Sequence, residues 1–198
     1  MQAYQEHYQK NVHPSLNLPR DQTTDVERQN INVRQELQSD IDKYLRQKEI
    51  EPRFNTENSL EIHQVTPALR ARMIDWMIEV LTNFKCNDLT FFLAVSLQDR
   101  YFKRSQEPKH ISDLHAIGVT CMFMASKFED IYPLKMVTVH EKIAHKKIEV
   151  AAINKLEIDI LKTLNYDVVV PTVLDFLKVF LVDVLNIEIK SKTETDKK

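Results

Sequence analysis

AIGVTCMFMA, residues 116–125, is apolar on nearly every side of the helix that it would form. Such a helix keeps no face for water and belongs at the centre of a bundle. Ser112 reads as its N-cap, and it is expected to run to about Asp130. Gly118 costs it about 1 kcal/mol of helix propensity relative to alanine, which is tolerable where a neighbouring helix must come close. Outward from this stretch the apolar positions recur at the helical period, and the seven prolines stand where helices would start or stop. Thr66-Pro67 is an N-cap followed by proline at the first helical position, opening a helix with Leu69, Met73, Trp76, Met77, Val80, Leu81 and Phe84 inward. Asn87 caps the next helix, to about Arg104, with Leu89, Phe92, Leu93, Leu97 and Tyr101 inward. Beyond the central helix, Pro133 is expected to begin a shorter one to about Ala144. Residues 147–164 form another, with Val150, Ile153, Leu156, Ile160, Leu161 and Leu164 inward.

The flanks are less regular. Residues 1–32 show no apolar period and read as a flexible arm. Residues 33–52 carry one narrow stripe, Val33, Leu37, Ile41, Tyr44 and Leu45, on a charged helix that Pro52 stops, and such a stripe docks onto something. After an extended run at residues 168–170, Pro171-Thr172 starts a last helix, apolar at Val173, Leu174, Leu177, Phe180, Leu181 and Val184. The tail from Lys190 is charged and expected to fray. The fold class is therefore all-α: a five-helix bundle around its third helix, with one helix added at each end.

Composition narrows the function. Lys plus Arg (27) against Asp plus Glu (29) leaves a net charge of -2, without the basic footprint that a nucleic-acid binder needs. A single glycine excludes the Gly-rich phosphate loops of Rossmann and P-loop proteins. Cys86 and Cys121 belong to no CxxC and read as reduced core thiols of an intracellular protein, a disulfide remaining open. The polar start and the lack of an apolar run of about 18 residues predict neither a signal peptide nor a membrane span, which leaves nucleus and cytoplasm. His140 and His145, like His110 and His115, stand five apart, a spacing that puts two imidazoles on different helix faces, so solvated histidines are expected. No nucleophile elbow or carboxylate motif appears, so no enzyme, cofactor or metal is expected.

Four segments together are more specific: LRARMIDWMIEV (69–80), VSLQDRYF (95–102), GVTCMFMASKFEDIYP (118–133) and KLEIDILKTLNYDVVVPT (155–172). In this order and spacing they resemble the cyclin box, and SDIDKYLRQKEIEP (39–52) resembles the helix that precedes the box in mitotic cyclins of the A and B types. The resemblance covers about residues 37–185 and places the box at 53–168, with 169–198 as a stub of a second box and tail. It implies a non-catalytic subunit that binds and activates a cyclin-dependent protein kinase. Lys127 and Glu157 match the family's Lys and Glu that hydrogen-bond kinase backbone. Phe128, Ile131 and the upstream Leu37, Ile41 and Tyr44 match further kinase-facing positions. Arg70 and Asp99 match a pair that joins two helices inside the box.

The same resemblance implies a groove for short basic-hydrophobic peptides of substrates or inhibitors, lined by Leu69, Met73, Trp76 and Glu79. Arg72 departs there, standing where the family usually has an aliphatic residue. Arg34-Gln35-Glu36-Leu37 matches the minimal RxxL degradation signal. Two rival readings remain. A cyclin-fold adaptor in transcription, without kinase activation, would be expected to show a basic face. An enzyme built on His140, His145 or His63 with an acidic partner has no spacing to support it.

Overall fold

The computed structural model describes residues 25–51 and 55–185, and every regular element among them is helical. The helices are α1 (Asp25–Glu49), α2 (Pro67–Asn83), α3 (Asp88–Arg104), α4 (Ile111–Glu129), α5 (Met136–Thr138, widening into a π turn at Val139–Ile143), α6 (Val150–Thr163) and α7 (Val173–Leu185). The chain divides into two compact units inside α1, between Ile41 and Asp42. In the first unit α1 starts at Asp25, earlier than the Val33 that the stripe marks, and Glu27, Arg28 and Gln29 have good intrinsic helix propensity. Residues 1–24 of the expected arm, Pro52, the tail from 186 and the side chains of Arg34, Gln35 and Glu36 lie outside the described residues.

The second unit is built around α4. Every residue from Ile117 to Ser126 is buried, and α2, α3, the π turn and α6 all pack on it. A methyl group built on Gly118 would run into Met73 Cε of α2, so the lone glycine lets that side chain lie against the α4 backbone. Thr66 Oγ1 accepts the Leu69 N–H at 3.3 Å and Asn87 Oδ1 accepts the Leu89 N–H at 3.0 Å, which are the two caps read from the sequence. The cap of α4 is His110, not Ser112: the Asp113 carboxylate accepts the His110 N–H at 3.0 Å and draws the start two residues upstream. Nor does Pro133 begin α5. Ser126 Oγ accepts the Leu134 N–H at 2.8 Å and holds residues 131–135 as a loop, so the helix opens only at Met136.

With so few glycines, helix ends use other residues in the left-handed region. Lys85, His145, Lys146, Asn165 and Tyr166 have φ between 50° and 60°, at about 1–2 kcal/mol each for a residue with a Cβ. The π turn closes this way: the Ala144 N–H donates to Val139 O at 2.8 Å and the Lys146 N–H to His140 O at 2.8 Å. Cys86 and Cys121 are buried free thiols, and burial pushes the Cys86 thiol up to about 12.

Gln98 of α3 is fully buried, and neither atom of its amide has a hydrogen-bond partner among the described residues. An unpartnered buried amide costs about 1–3 kcal/mol. Gln98→Leu is therefore expected to raise stability by about 1–2 kcal/mol, read as a higher urea midpoint at unchanged slope. A lower midpoint would show that the amide is satisfied in solution.

Candidate functional site

The C-terminal turn of α4 carries Lys127, and α6 carries Glu157, thirty residues on. The bundle brings them together: Lys127 Nζ donates to Glu157 Oε1 in an ion pair at the surface. The Lys127 ammonium also sits 4.2 Å from the centroid of the buried Phe123 ring, a cation–π contact that helps to hold the charged end of its side chain. α6 is held in register by the Tyr101 hydroxyl of α3, which donates to Asp159 Oδ2 at 2.5 Å. Burial, then that carboxylate, push the Tyr101 phenol well above its usual range, so the donor stays protonated.

The residues that follow Lys127 in the chain include three exposed apolar side chains. Phe128 is 53% exposed, Ile131 66% and Tyr132 90%. A single such side chain is ordinary, but three within five residues of chain are apolar surface of the kind that an interface would use. Two side chains that sequence reasoning missed hold this lip. Ser126 fixes the loop through the Leu134 N–H, and Asp130 Oδ1 accepts the Asn87 N–H at 2.7 Å, tying the end of α4 to the start of α3. Their signal was present in SKFED, but a polar residue at a helix end has many uses and the sequence does not choose one. On α1, Leu37, Ile41 and Tyr44 are all exposed, and their spacing puts them on one face of that helix.

Arg70 of α2 and Asp99 of α3 meet as the resemblance implies. The guanidinium forks onto the carboxylate, Nε to Oδ1 at 2.6 Å and Nη2 to Oδ2 at 2.5 Å. Asp99 is 9% exposed, so removing its partner strands a carboxylate in the bundle. Arg70→Ala is expected to cost about 2–4 kcal/mol, seen as a lower urea midpoint. An unchanged midpoint would remove the pair from the framework.

Of the expected groove residues, Met73 is turned inward against Gly118, Leu69 and Trp76 are half-buried, and Glu79 is exposed. Two of the four histidines expected to be solvated, His115 and His140, are half-buried instead. His115 is half-buried and packs its ring on Trp76, with centroids 4.9 Å apart, and His140 is half-buried with Nδ1 2.9 Å from Ile148 O. His110 and His145 are exposed. His63 is buried: its Nδ1 accepts the Lys109 N–H at 3.0 Å and its Nε2 lies 2.7 Å from Phe102 O, so backbone occupies both nitrogens.

A family model described as the cyclin N-terminal domain matches residues 40–169. G2/mitotic-specific cyclin-B1 of Oryzias luzonensis is 36% identical over 143 residues, 72% of this chain and 35% of that protein. Cyclin-A2 of Gallus gallus is 31% identical over 169 residues, 83% of this chain and 41% of that protein. The chain thus spans 35% and 41% of the length of these two relatives. Among solved structures, a viral cyclin from herpesvirus saimiri superposes with a TM-score of 0.62 at 22% identity, covering 76% of this chain and 61% of that one, a likeness of fold. Because the matched region takes in α2 to α6 and more than half of the residues, the helical bundle is a cyclin fold and the chain belongs to the cyclin family.

Proposed function

We propose that this cyclin is a non-catalytic subunit that binds and activates a cyclin-dependent protein kinase in cell-cycle control, acting in nucleus and cytoplasm. The observation that carries the reading is the meeting of Lys127 and Glu157 beside exposed Phe128 and Ile131. An ammonium offers donors to carbonyls and a carboxylate accepts N–H bonds, and both gain strength when an interface excludes water. Leu37, Ile41 and Tyr44 extend the same role along α1. Activation is a population shift: a subunit that contacts only the active placement of the kinase's regulatory helix stabilises that placement by its differential affinity. The phosphoryl chemistry, ATP and magnesium belong to the kinase.

The test takes the cyclin-dependent kinases of the source cell one at a time, each as free monomer with ATP, magnesium and a protein substrate. Adding this chain is expected to raise phosphoryl transfer at least tenfold with one of them and to form a complex that survives gel filtration. A complex without activation would favour the adaptor reading, and neither complex nor activation with any of them would end the proposal.

A further inference from the structure

Tyr132, 90% exposed, is the most exposed large apolar side chain among the described residues. It stands in the loop between α4 and α5, which is pinned on either side, at Asp130 by the Asn87 N–H and at Leu134 by the Ser126 hydroxyl oxygen. Between the pins no backbone N–H or C=O of residues 131–133 has a hydrogen-bond partner among the described residues, and neither has the Tyr132 hydroxyl. Such a segment keeps its main chain available to a groove that reads extended peptides, and its phenol stays in solvent. The chain just before it is acidic, with Glu129 and Asp130, whereas Pro133, Leu134 and Lys135 after it carry no acid. The other described tyrosines lack this combination. Tyr101 is 1% exposed, and the main chain of Tyr44 is engaged within α1. Tyr166 donates its N–H to Leu161 O at 2.8 Å and has its nearest acid after it, at Asp167.

We propose that Tyr132 is a phosphorylation site for a protein kinase of tyrosine or dual specificity, and that its phosphate and the cyclin-dependent kinase exclude one another from this surface. The exclusion rests on the proposed function, and the site stands without it. In the reaction the Tyr132 oxygen attacks the γ-phosphorus of ATP, the bond to ADP breaks, and the phenol proton passes to a base of the modifying kinase. The acids at 129 and 130 suit an enzyme whose peptide groove is basic. The product carries a charge of about −2 on what was a neutral ring, next in the chain to the exposed Ile131. An interface closing over that ring would strip water from a dianion, which costs far more than covering a phenol. Conversely, a complex that covers the ring hides its hydroxyl from the modifying enzyme.

For the test, the whole chain is incubated with γ-labelled ATP, magnesium and, in turn, a set of purified tyrosine and dual-specificity kinase domains, and the labelled residue is located by peptide mass. Label is expected on Tyr132 with at least one of them and should be lost in Tyr132→Phe, which should melt as wild type does because the hydroxyl has no partner to lose. Asp130→Asn keeps an oxygen for the Asn87 N–H but drops the charge, and should slow the labelling severalfold. No label on Tyr132 with any of the enzymes, label on Tyr44 or Tyr166 in preference, or an unchanged rate in Asp130→Asn would each overturn the site. The phosphorylated chain is then titrated with the cyclin-dependent kinase that the unmodified chain activates. Binding is expected to weaken at least tenfold and to return after phosphatase treatment, and the preformed complex should resist labelling. Equal or tighter binding of the phosphorylated chain, or undiminished labelling of the complex, would overturn the exclusion. If the unmodified chain activates no cyclin-dependent kinase, the proposed function and the exclusion fall together, and the label still decides the site.

Discussion

Arg100→Met is expected to lower the stability of the bundle by about 3–5 kcal/mol and its melting midpoint by about 10 °C. Arg100 is 1% exposed, and it is a cation in the middle of α3. It is tolerated there because its guanidinium donates to two backbone carbonyls, Nη1 to Asp167 O and Nη2 to Val168 O, each at 2.6 Å. Those carbonyls belong to the extended segment between α6 and α7, which has no ladder or helix to satisfy them. Methionine fills most of the stem's volume but takes the guanidinium donors from both carbonyls, of which that of Val168 is in a buried residue. Lysine keeps the charge but has no planar fork, so Arg100→Lys should lose part of the same amount. A wild-type midpoint for Arg100→Met would mean that the segment finds other donors.

Arg100 also marks where the sequence stops being informative. The core of α4 is legible because its ten central residues have no polar face, and Thr66-Pro67 and Asn87 announce helix starts through chemistry that lies within three residues. In SLQDRYF the polar Gln98, Asp99 and Arg100 are all buried, yet nothing local distinguishes them from a solvated face. Their partners, where the structure supplies them, lie 29 residues away for Asp99 and 67 or 68 for Arg100. The start of α4 was missed by two residues because the Asp113 carboxylate accepts the His110 N–H and so moves the cap from Ser112 to His110. The π turn was missed because Pro133 looks like a helix start, whereas the Ser126 hydroxyl already holds the Leu134 N–H. The His115 ring was assigned to solvent from its spacing to His110, a rule about metal pairs that says nothing of stacking on Trp76. The candidate site was legible only through the family resemblance. Taken alone, a lysine on one helix and a glutamate thirty residues on read as an ordinary surface ion pair, and the fold shows that they do pair.

That pairing leaves a question that alanine variants answer poorly, because removing either partner abolishes both a strut and the proposed interface group. Reversing the charges separates the two roles. Lys127→Glu or Glu157→Lys alone puts like charges together and should cost about 1 kcal/mol of stability. The double reversal restores an ion pair of the same geometry between α4 and α6, so its melting midpoint should return to the wild-type value. If the pair were only a strut, kinase binding would return with it. If the ammonium meets kinase carbonyls and the carboxylate meets kinase N–H groups, the reversal sets acceptor against acceptor and donor against donor, and binding stays lost. Two charged hydrogen bonds at about 1.5–3 kcal/mol each correspond to at least a hundredfold in affinity. The expected result is therefore a double variant that melts as wild type and binds its kinase at least a hundredfold more weakly, measured by calorimetry on the purified partners. Binding restored to within about threefold would return Lys127 and Glu157 to the framework and leave the exposed rings of Phe128 and Tyr132 to carry the interface.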